Sequence, residues 1–473
     1  MRSSCCEFSR ALSLKIAIAG ASGFVGEALI ASIASKHEVI ALTRSLGSNN
    51  SQHYKCVEWR SCDLFSLLQT ERALQGADIA IYLVHSMLPT ARLMQSTFED
   101  ADLLLADNFA RAAQKVNLKR IIYLGGLIPE KKKLSKHLAS RLEVETALAG
   151  HGTPVTTLRA GMILGPKGSS FEMLYTLVHR LPVMICPKWT RSLTQCIDFR
   201  DVIGLIEFCV ENPKTTGGQF DIGGPDVQTY QQLMRDMANV MQVKRRFYFV
   251  PYFTPGLSRL WVQLITGASK NLVSPLVQSL RHEMVVRNPA LLILYGKPLI
   301  DLKTSLRDCL KEVKPSLRQA TFNRVSLLSQ TNTVRSIQRL PLSAGNDAAG
   351  IAKEYFRWLP KFLHPFILVE HSNDFRWIFR FVGMKKALLV LEFSKSRSAP
   401  DRQLFYIKSG VLVEKNQPSH SRLEFHQALG GKCMIAAIHD FKPALPWIVY
   451  KWTQALIHLW VMKKFKAHLE CEG

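Results

Sequence analysis

Between Leu14 and about Gly165, short runs of continuous apolar residues alternate with longer stretches whose apolar positions recur every three or four residues. The runs are KIAIAG, HEVIALT, DIAIYLVHS, RIIYLGGL and VTTLRAGMILG, each flanked by glycine or polar residues. Runs of this kind predict strands buried on both faces, and the intervening pattern predicts helices. Together they predict an α/β fold with a parallel, doubly wound sheet. The longest helix of this part is expected over 91–116, where leucines and alanines keep helical spacing.

Beyond Pro166 the pattern is mixed. QCIDFRDVIGLIEFCV reads as a short strand, a turn and a helix, and GGQFDIGGPDVQTYQQLM repeats that order. Apolar helical stretches follow from Pro251 to about Asn288. A connector rich in Ser, Thr, Gln and Arg, about Lys314 to Thr333, then separates two regions. From about Ile337 the period changes to two. KKALLVLEFSKS, QLFYIKSGVLVEK, SRLEFHQAL and KCMIAAIHDF predict antiparallel strands of one curved sheet. A long helix is expected last, roughly 447–467, with Lys451, Gln454 and His458 on an otherwise apolar surface. Its partner must be apolar on most sides: a wrapped sheet, or a sheet plus lipid. The expected organisation is therefore a short extension (1–13), a doubly wound domain with a helical substrate-side lobe (14–313), a linker (314–336) and an α+β unit (337–473).

The strongest chemical signal lies where the first strand ends. In IAIAGASGFVGEALI, glycines stand at 20, 23 and 26 and a helix is expected from about Phe24. In that setting Gly20 permits a tight turn, Gly23 lets backbone approach a pyrophosphate, and Gly26 lets the helix pack closely on the sheet. The helix N-terminus then offers its unpaired N–H groups to the phosphates. The whole loop, Gly20, Ala21, Ser22, Gly23, Phe24, Val25 and Gly26, is thus expected to hold a dinucleotide. At the end of the second strand, where a carboxylate would select NAD, the chain has Thr43, Arg44 and Ser45. Arg44 is placed to pair with the 2′-phosphate of NADP, or it is an ordinary surface arginine; NADP is favoured over NAD. Asp63 and Leu64 follow the third strand and Val84 and His85 the fourth, at the carboxyl ends where such sheets bind ligands.

Composition narrows the partners. The 473 residues allow more than one domain, and the formal net charge is +24. The positive excess is spread over both halves, and no zinc-finger or helix-turn-helix spacing is present. A membrane surface or acidic metabolites are favoured over nucleic acid. Ten cysteines, scattered through apolar stretches, do not form a disulfide framework and point to a reducing compartment, with a cytoplasmic location expected. The apolar run that opens the glycine motif is not a signal peptide, and no run reaches the length of a membrane span. No metal-ligand spacing and no G-x-S-x-G elbow appears.

Taken together, GASGFVG, TR, CDL, YLVHSM, YLGGL and LRAGMILG resemble the extended and atypical short-chain dehydrogenase/reductase superfamily, in its NmrA-like and complex-I-subunit-like branch. SLRHEMVV and RSIQRLPLSAGNDAAGIAKEYFRWLPKF are similar to segments of bacterial proteins with a C-terminal extension of unknown function. The strands and final helix of that extension resemble the helix-grip fold of StAR-related and polyketide-cyclase-like lipid-binding domains. The resemblance implies that Gly20, Gly23 and Gly26 hold pyrophosphate, Arg44 the 2′-phosphate, Asp63 adenine, and Val84 the wall beside adenine or ribose. Active members of the superfamily place a Ser or Thr at the end of the fifth strand and a Tyr-x-x-x-Lys pair on the next helix. Here Gly125 and Gly126 occupy the Ser region, and HLASR puts His137 and Arg141 at the Tyr and Lys positions.

That departure removes the ordinary proton donor. Arginine stays charged and lacks lysine's compact ammonium. His85, His137 and Arg141 are the candidates for any remaining chemistry, with Ser86 and Tyr123 as further proton sources. Three functions follow. The first is an NADP(H) binder or sensor joined to an apolar-ligand domain. The second is an oxidoreductase or isomerase acting on a large apolar substrate such as a quinone, isoprenoid or lipid. The third is an assembly protein in peripheral contact with a membrane.

Overall fold

The computed structural model describes residues 13–44, 56–85, 91–130, 134–250, 278–312, 331–343, 345–372, 374–416 and 418–472. The chain divides into two units, 1–87 with 108–325, and 88–107 with 326–473.

The first unit is built on seven strands: β1 (Lys15–Ala19), β2 (Glu38–Thr43), β3 (Val57–Ser61), β4 (Ile79–Tyr82), β6 (Arg120–Gly126), β7 (Val155–Ala160) and β12 (Gln219–Ile222). They pair in the order β12-β7-β6-β4-β1-β2-β3, all parallel. Ile16 to Ala19 and Ile79 to Tyr82 are buried without a break. Such runs have no solvent face to alternate with, so they suit only a sheet covered on both sides. Helices α1 (Phe24–Ile33) and α6 (Phe199–Glu211) close one face over Ile18, Ile30, Ile122 and Val202. On the other face Tyr82, Phe109 and Tyr123 pack ring against ring. The chain leaves β1 toward β2 on one side and returns toward β4 on the other. This switch point opens a crevice at the carboxyl ends of β1 and β4.

A lobe follows in the same unit. Its short strands β8 (Ile163–Leu164), β9 (Val183–Pro187), β10 (Leu193–Thr194), β11 (Ile197–Asp198), β13 (Gln228–Thr229) and β14 (Arg246–Val250) pair as β8–β11, β9–β14 and β10–β13. With α5 (Ser169–Arg180), α7 (Tyr230–Val240) and α9 (Leu302–Glu312) they enclose a second core around Phe171, Met184, Leu233 and Leu306. Helix α8 (Ala290–Tyr295) instead packs Leu291 into the core beneath the main sheet. The helical stretches expected over 251–277 lie outside the described residues.

The second unit is a mixed α/β region. Strands β15 (Thr331–Leu340), β16 (Ile367–Ser372), β17 (Arg376–Phe381), β18 (Leu389–Phe393), β19 (Arg402–Ser409), β20 (Arg422–Ala428) and β21 (Cys433–Phe441) form one antiparallel sheet in the order β16-β17-β18-β19-β20-β21-β15. The first strand thus pairs with the last. Helices α10 (Ala348–Phe362), α11 (Trp447–Trp452) and α12 (Gln454–Glu472) cover one face. The interior is aromatic: Phe356 stacks on Trp377 at 4.3 Å between ring centroids, and Tyr355 meets Phe465 at 5.1 Å.

Three sequence expectations change. The helix expected over 91–116 is a strand, β5 (Ala91–Gln95), followed by α3 (Phe98–Lys115). β5 pairs in parallel with β15, and Leu93 packs on the second unit's core; tertiary pairing overrides the helix propensity of Leu, Met and Ala. Within the linker expected over 314–336, residues 314–330 lie outside the described residues, whereas 331–336 already belong to β15, between β21 and β5. The final helix is interrupted at Thr453 (φ −125°, ψ −89°), whose hydroxyl turns back to donate to the Val449 carbonyl at 2.6 Å.

Candidate functional site

The glycine loop is built as its spacing requires. Gly20 has φ +90°, a left-handed conformation that disfavours side chains, and a Cβ there would lie 3.2 Å from the Leu83 carbonyl carbon. The Gly23 N–H donates to the Gly20 carbonyl at 3.0 Å and closes the turn. A Cβ on Gly26 would stand 2.3 Å from that same carbonyl oxygen, so the helix sits as close to the loop as bare backbone allows. Gly23 caps α1 without any side-chain hydrogen bond. The first N–H groups of the helix therefore face the crevice with the positive end of its dipole. Ala21 is buried, Ser22 and Gly23 are exposed, and Phe24 and Val25 are half-buried, with Phe24 packed on Phe199 at 5.1 Å. A cradle of backbone that a Cβ would fill, beneath an open helix N-terminus, fits a dinucleotide pyrophosphate.

The ends of β2 and β3 are tied together beside this loop. The Cys62 N–H donates to the Thr43 carbonyl at 2.7 Å, and the Ser61 hydroxyl to the Arg44 carbonyl at 3.3 Å. Thr43 is buried and Arg44 exposed; Ser45 and Ser86 lie outside the described residues. Asp63 shapes the next turn, since its Oδ1 accepts from the Phe65 N–H at 3.2 Å, and Leu64 is buried behind it. Asn108 on α3 donates to the Leu64 and Phe65 carbonyls at 3.0 and 3.2 Å. Sequence reading missed this residue, which fixes the path of the Asp63–Leu64 loop. Burial pushes the neighbouring Cys62 thiol up to about 12, so it is no nucleophile.

The three candidate catalytic residues come together. Val84 and His85 leave the end of β4 half-buried. His137 and Arg141 lie four apart on α4 (Lys136–Ala149), which Ser135 caps through the Leu138 N–H. Arg141 is buried and its Nη2 donates to His85 Nδ1 at 2.7 Å; the His85 and His137 rings lie 5.3 Å apart. A guanidinium can only donate, so Nδ1 of His85 is the acceptor and its proton sits on Nε2. The two glycines of β6 make room for this arrangement. A Cβ at Gly125 would press on the Tyr123 ring at 2.8 Å, and one at Gly126 would meet the Arg141 side chain at 3.4 Å. The Tyr123 hydroxyl is itself turned to the Arg141 carbonyl at 3.4 Å. The site thus joins His85 and Arg141 by a hydrogen bond where the sequence lacks the Tyr-Lys pair. Among the described residues no cluster of potential metal ligands occurs.

Residues 20–176 match the family model described as NAD(P)H-binding. Over 145 residues the chain is 30% identical to the Auxiliary protein GraX of Staphylococcus aureus, a stretch covering 30% of this chain and 43% of that protein. The chain therefore spans less than half the length of this curated relative. Among solved structures it is similar to a nucleoside-diphosphate-sugar epimerase from Staphylococcus aureus (TM-score 0.51, 15% identity, 62% of this chain and 100% of that one). It is also similar to an NADPH-dependent quinone oxidoreductase from Escherichia coli complexed with NADPH (TM-score 0.51, 19% identity, 62% and 99%). A third likeness is to the triphenylmethane reductase of Citrobacter (TM-score 0.50, 16% identity, 63% and 99%). At these identities the likenesses establish the fold. The first unit has a Rossmann-like α/β fold.

Proposed function

We propose that the chain binds NADP(H) through the Gly20–Gly26 loop and Arg44 and works as a binder or sensor of that cofactor without ordinary dehydrogenase turnover. The observation that carries this reading is the Arg141–His85 hydrogen bond, in the region where reductases of this fold keep a tyrosine and lysine. Arg141 holds its proton throughout, and His85 spends its basic nitrogen on Arg141, so neither delivers a proton as a tyrosine beside a lysine does. That a relative bears the name of an auxiliary protein is in keeping with such a role. Equilibrium titration with NADPH and NADH, followed by single-turnover mixing with a set of ketones, aldehydes and quinones, tests it. Saturable binding that favours NADPH, with no carbonyl-dependent oxidation, is expected. Brisk reduction of simple ketones, or indifference to both dinucleotides, overturns the reading.

One observation favours a second reading, an oxidoreductase on a large apolar substrate such as a quinone. The proton on His85 Nε2 is a neutral donor of the kind that polarises a carbonyl oxygen. Quinone-dependent NADPH oxidation that is lost in His85→Ala, with NADPH binding intact, would select this alternative over the first.

A further inference from the structure

Helix α12 is apolar on two sides, and its own unit covers only one. Ala455, Met462, Phe465 and Leu469 are buried against the sheet and α10. On the other side Leu456, Ile457 and Trp460 are 48, 57 and 47% exposed, one helical turn of contiguous apolar surface. The preceding α11 extends it with Ile448 at 78% and Trp452 at 68%. Large apolar side chains exposed together mark a surface with a partner.

Charge identifies the partner. From Trp447 to Leu469 the chain has no carboxylate, while Lys451, Lys463, Lys464 and Lys466 are all exposed. Lys463 and Lys464 fall three and four residues beyond Trp460 and so continue the apolar stripe with cations. The Lys451 ammonium sits 5.7 Å from the Trp452 ring centre. Trp460 also packs on Phe362, the last residue of α10, at 4.8 Å between ring centroids. Four residues further on, Phe366 is 67% exposed and its carbonyl accepts from Val382, itself 55% exposed. The arginines of β17 are paired, Arg376 with Glu392 at 3.4 Å and Arg380 with Glu370 at 2.9 Å, whereas Lys385 and Lys386 beyond the strand are exposed. A second copy of the chain would oppose lysine to lysine across this face. A nucleic acid would leave the tryptophans and isoleucines without a partner.

We propose that α11 and α12 form a docking face for an anionic lipid bilayer. Trp452, Ile457 and Trp460 enter the headgroup–acyl boundary, and Lys451, Lys463 and Lys464 meet lipid phosphates. No helix among the described residues is long and apolar enough to cross a membrane, so the contact is in-plane.

The test is sedimentation of the full chain with phosphatidylcholine vesicles, with and without phosphatidylglycerol, read alongside tryptophan emission. Binding confined to the anionic vesicles, weakened by salt and accompanied by a blue shift, is expected. Lys463→Glu with Lys464→Glu should weaken it by roughly tenfold or more, and Trp452→Glu with Ile457→Glu should abolish it. NADPH affinity and melting temperature should stay unchanged in both variants. Absence of sedimentation, equal binding to neutral vesicles, or variants that bind as the parent does would overturn the proposal. So would a dimer in light scattering that the Trp452→Glu, Ile457→Glu variant dissolves, since the face would then belong to a second copy. Should either variant fail to fold, quenching of the parent's tryptophans by brominated lipid decides the matter: quenching supports insertion, and its absence refutes it.

Discussion

Gly26→Ala is the sharpest perturbation of the nucleotide loop. The added methyl would sit 2.3 Å from the Gly20 carbonyl oxygen and 2.9 Å from Ala21 backbone, where ordinary contact begins near 3.4 Å. Helix α1 must therefore retreat from the loop by about an ångström. Overpacking of this kind costs about 1–3 kcal/mol of stability, or roughly 2–4 °C in Tm per kcal/mol for a domain of this size. On the proposed binding mode, the same retreat carries the N–H groups of α1 away from the pyrophosphate. Stretching one charge-assisted hydrogen bond out of range loses about 1.5–3 kcal/mol, which is roughly ten- to a hundredfold in NADPH affinity. Gly76→Ala is the control. Gly76 also has a positive φ, +79°, but nothing lies within 4 Å of its missing Cβ. Its alanine should cost about 1 kcal/mol of stability and leave NADPH affinity alone. Calorimetric titration with parallel thermal melts separates the two effects. If Gly26→Ala binds NADPH within twofold of the parent, the close approach of helix and loop is not what forms the phosphate site.

Other consequences can be measured independently. Arg44→Glu should lower NADPH affinity by about tenfold or more and leave NADH nearly unaffected, because it sets a carboxylate where the 2′-phosphate is expected; equal losses for both would refute the 2′-phosphate role. Asp107→Ala removes the buried carboxylate bonded to His426 Nε2, and denaturant unfolding should show a loss of about 3 kcal/mol. Acid should weaken the second unit in two stages. His439 is held neutral, well below the usual histidine range, by burial and then by Arg422, so the unfolded chain gains a proton that the folded chain refuses. Stability is then full above pH 6.5 and falls as pH drops through it. Burial alone would raise the Glu424 carboxyl, but Arg402, the His426 hydrogen bond and Arg422 hold it well below the usual carboxylate range. Its contribution is full above pH 4.5 and is lost as pH falls below that. His439→Gln should flatten the upper stage only, as read by melting temperature against pH.

What the sequence disclosed and what it hid have separate physical causes. The parallel sheet and the glycine loop were legible because both rest on local constraints: unbroken apolar runs, and glycine where a Cβ meets backbone. The four-residue spacing of His137 and Arg141 put them on one face of α4, also a local matter. The bond from Arg141 to His85 joins residues 56 apart and was not legible. Asn108 was overlooked because one polar residue in the apolar pattern of α3 reads as an ordinary helix position; its work is to hold two carbonyls far away in sequence. On β20, alternation in RLEFHQA correctly marked a strand, and its polar face would pass for a solvated one. The fold instead buries Arg422, Glu424 and His426, pairing Glu424 with Arg402 at 2.6 Å and Arg422 at 3.1 Å. Complementary charges packed on one strand face were the available signal.

The His85–Arg141 pair bears on what kind of ligand the crevice can serve. A tyrosine beside a lysine stabilises a developing alkoxide and then gives up its proton, so the same residues bind and react. Arg141 donates and keeps its proton, and it fixes His85 as a second donor through Nε2. Two donors that hold their protons stabilise negative charge without neutralising it. Such a pair suits a ligand that is already anionic, a carboxylate, an enolate or a phosphate, better than a neutral ketone awaiting protonation. His85→Phe removes the Nε2–H and also the acceptor of the Arg141 Nη2 hydrogen bond. If the pair is an anion site, Arg141→Leu should abolish the effect of small carboxylates on NADPH affinity, while His85→Phe should only reduce it. Carboxylates without influence on NADPH binding in the parent protein would rule the anion site out.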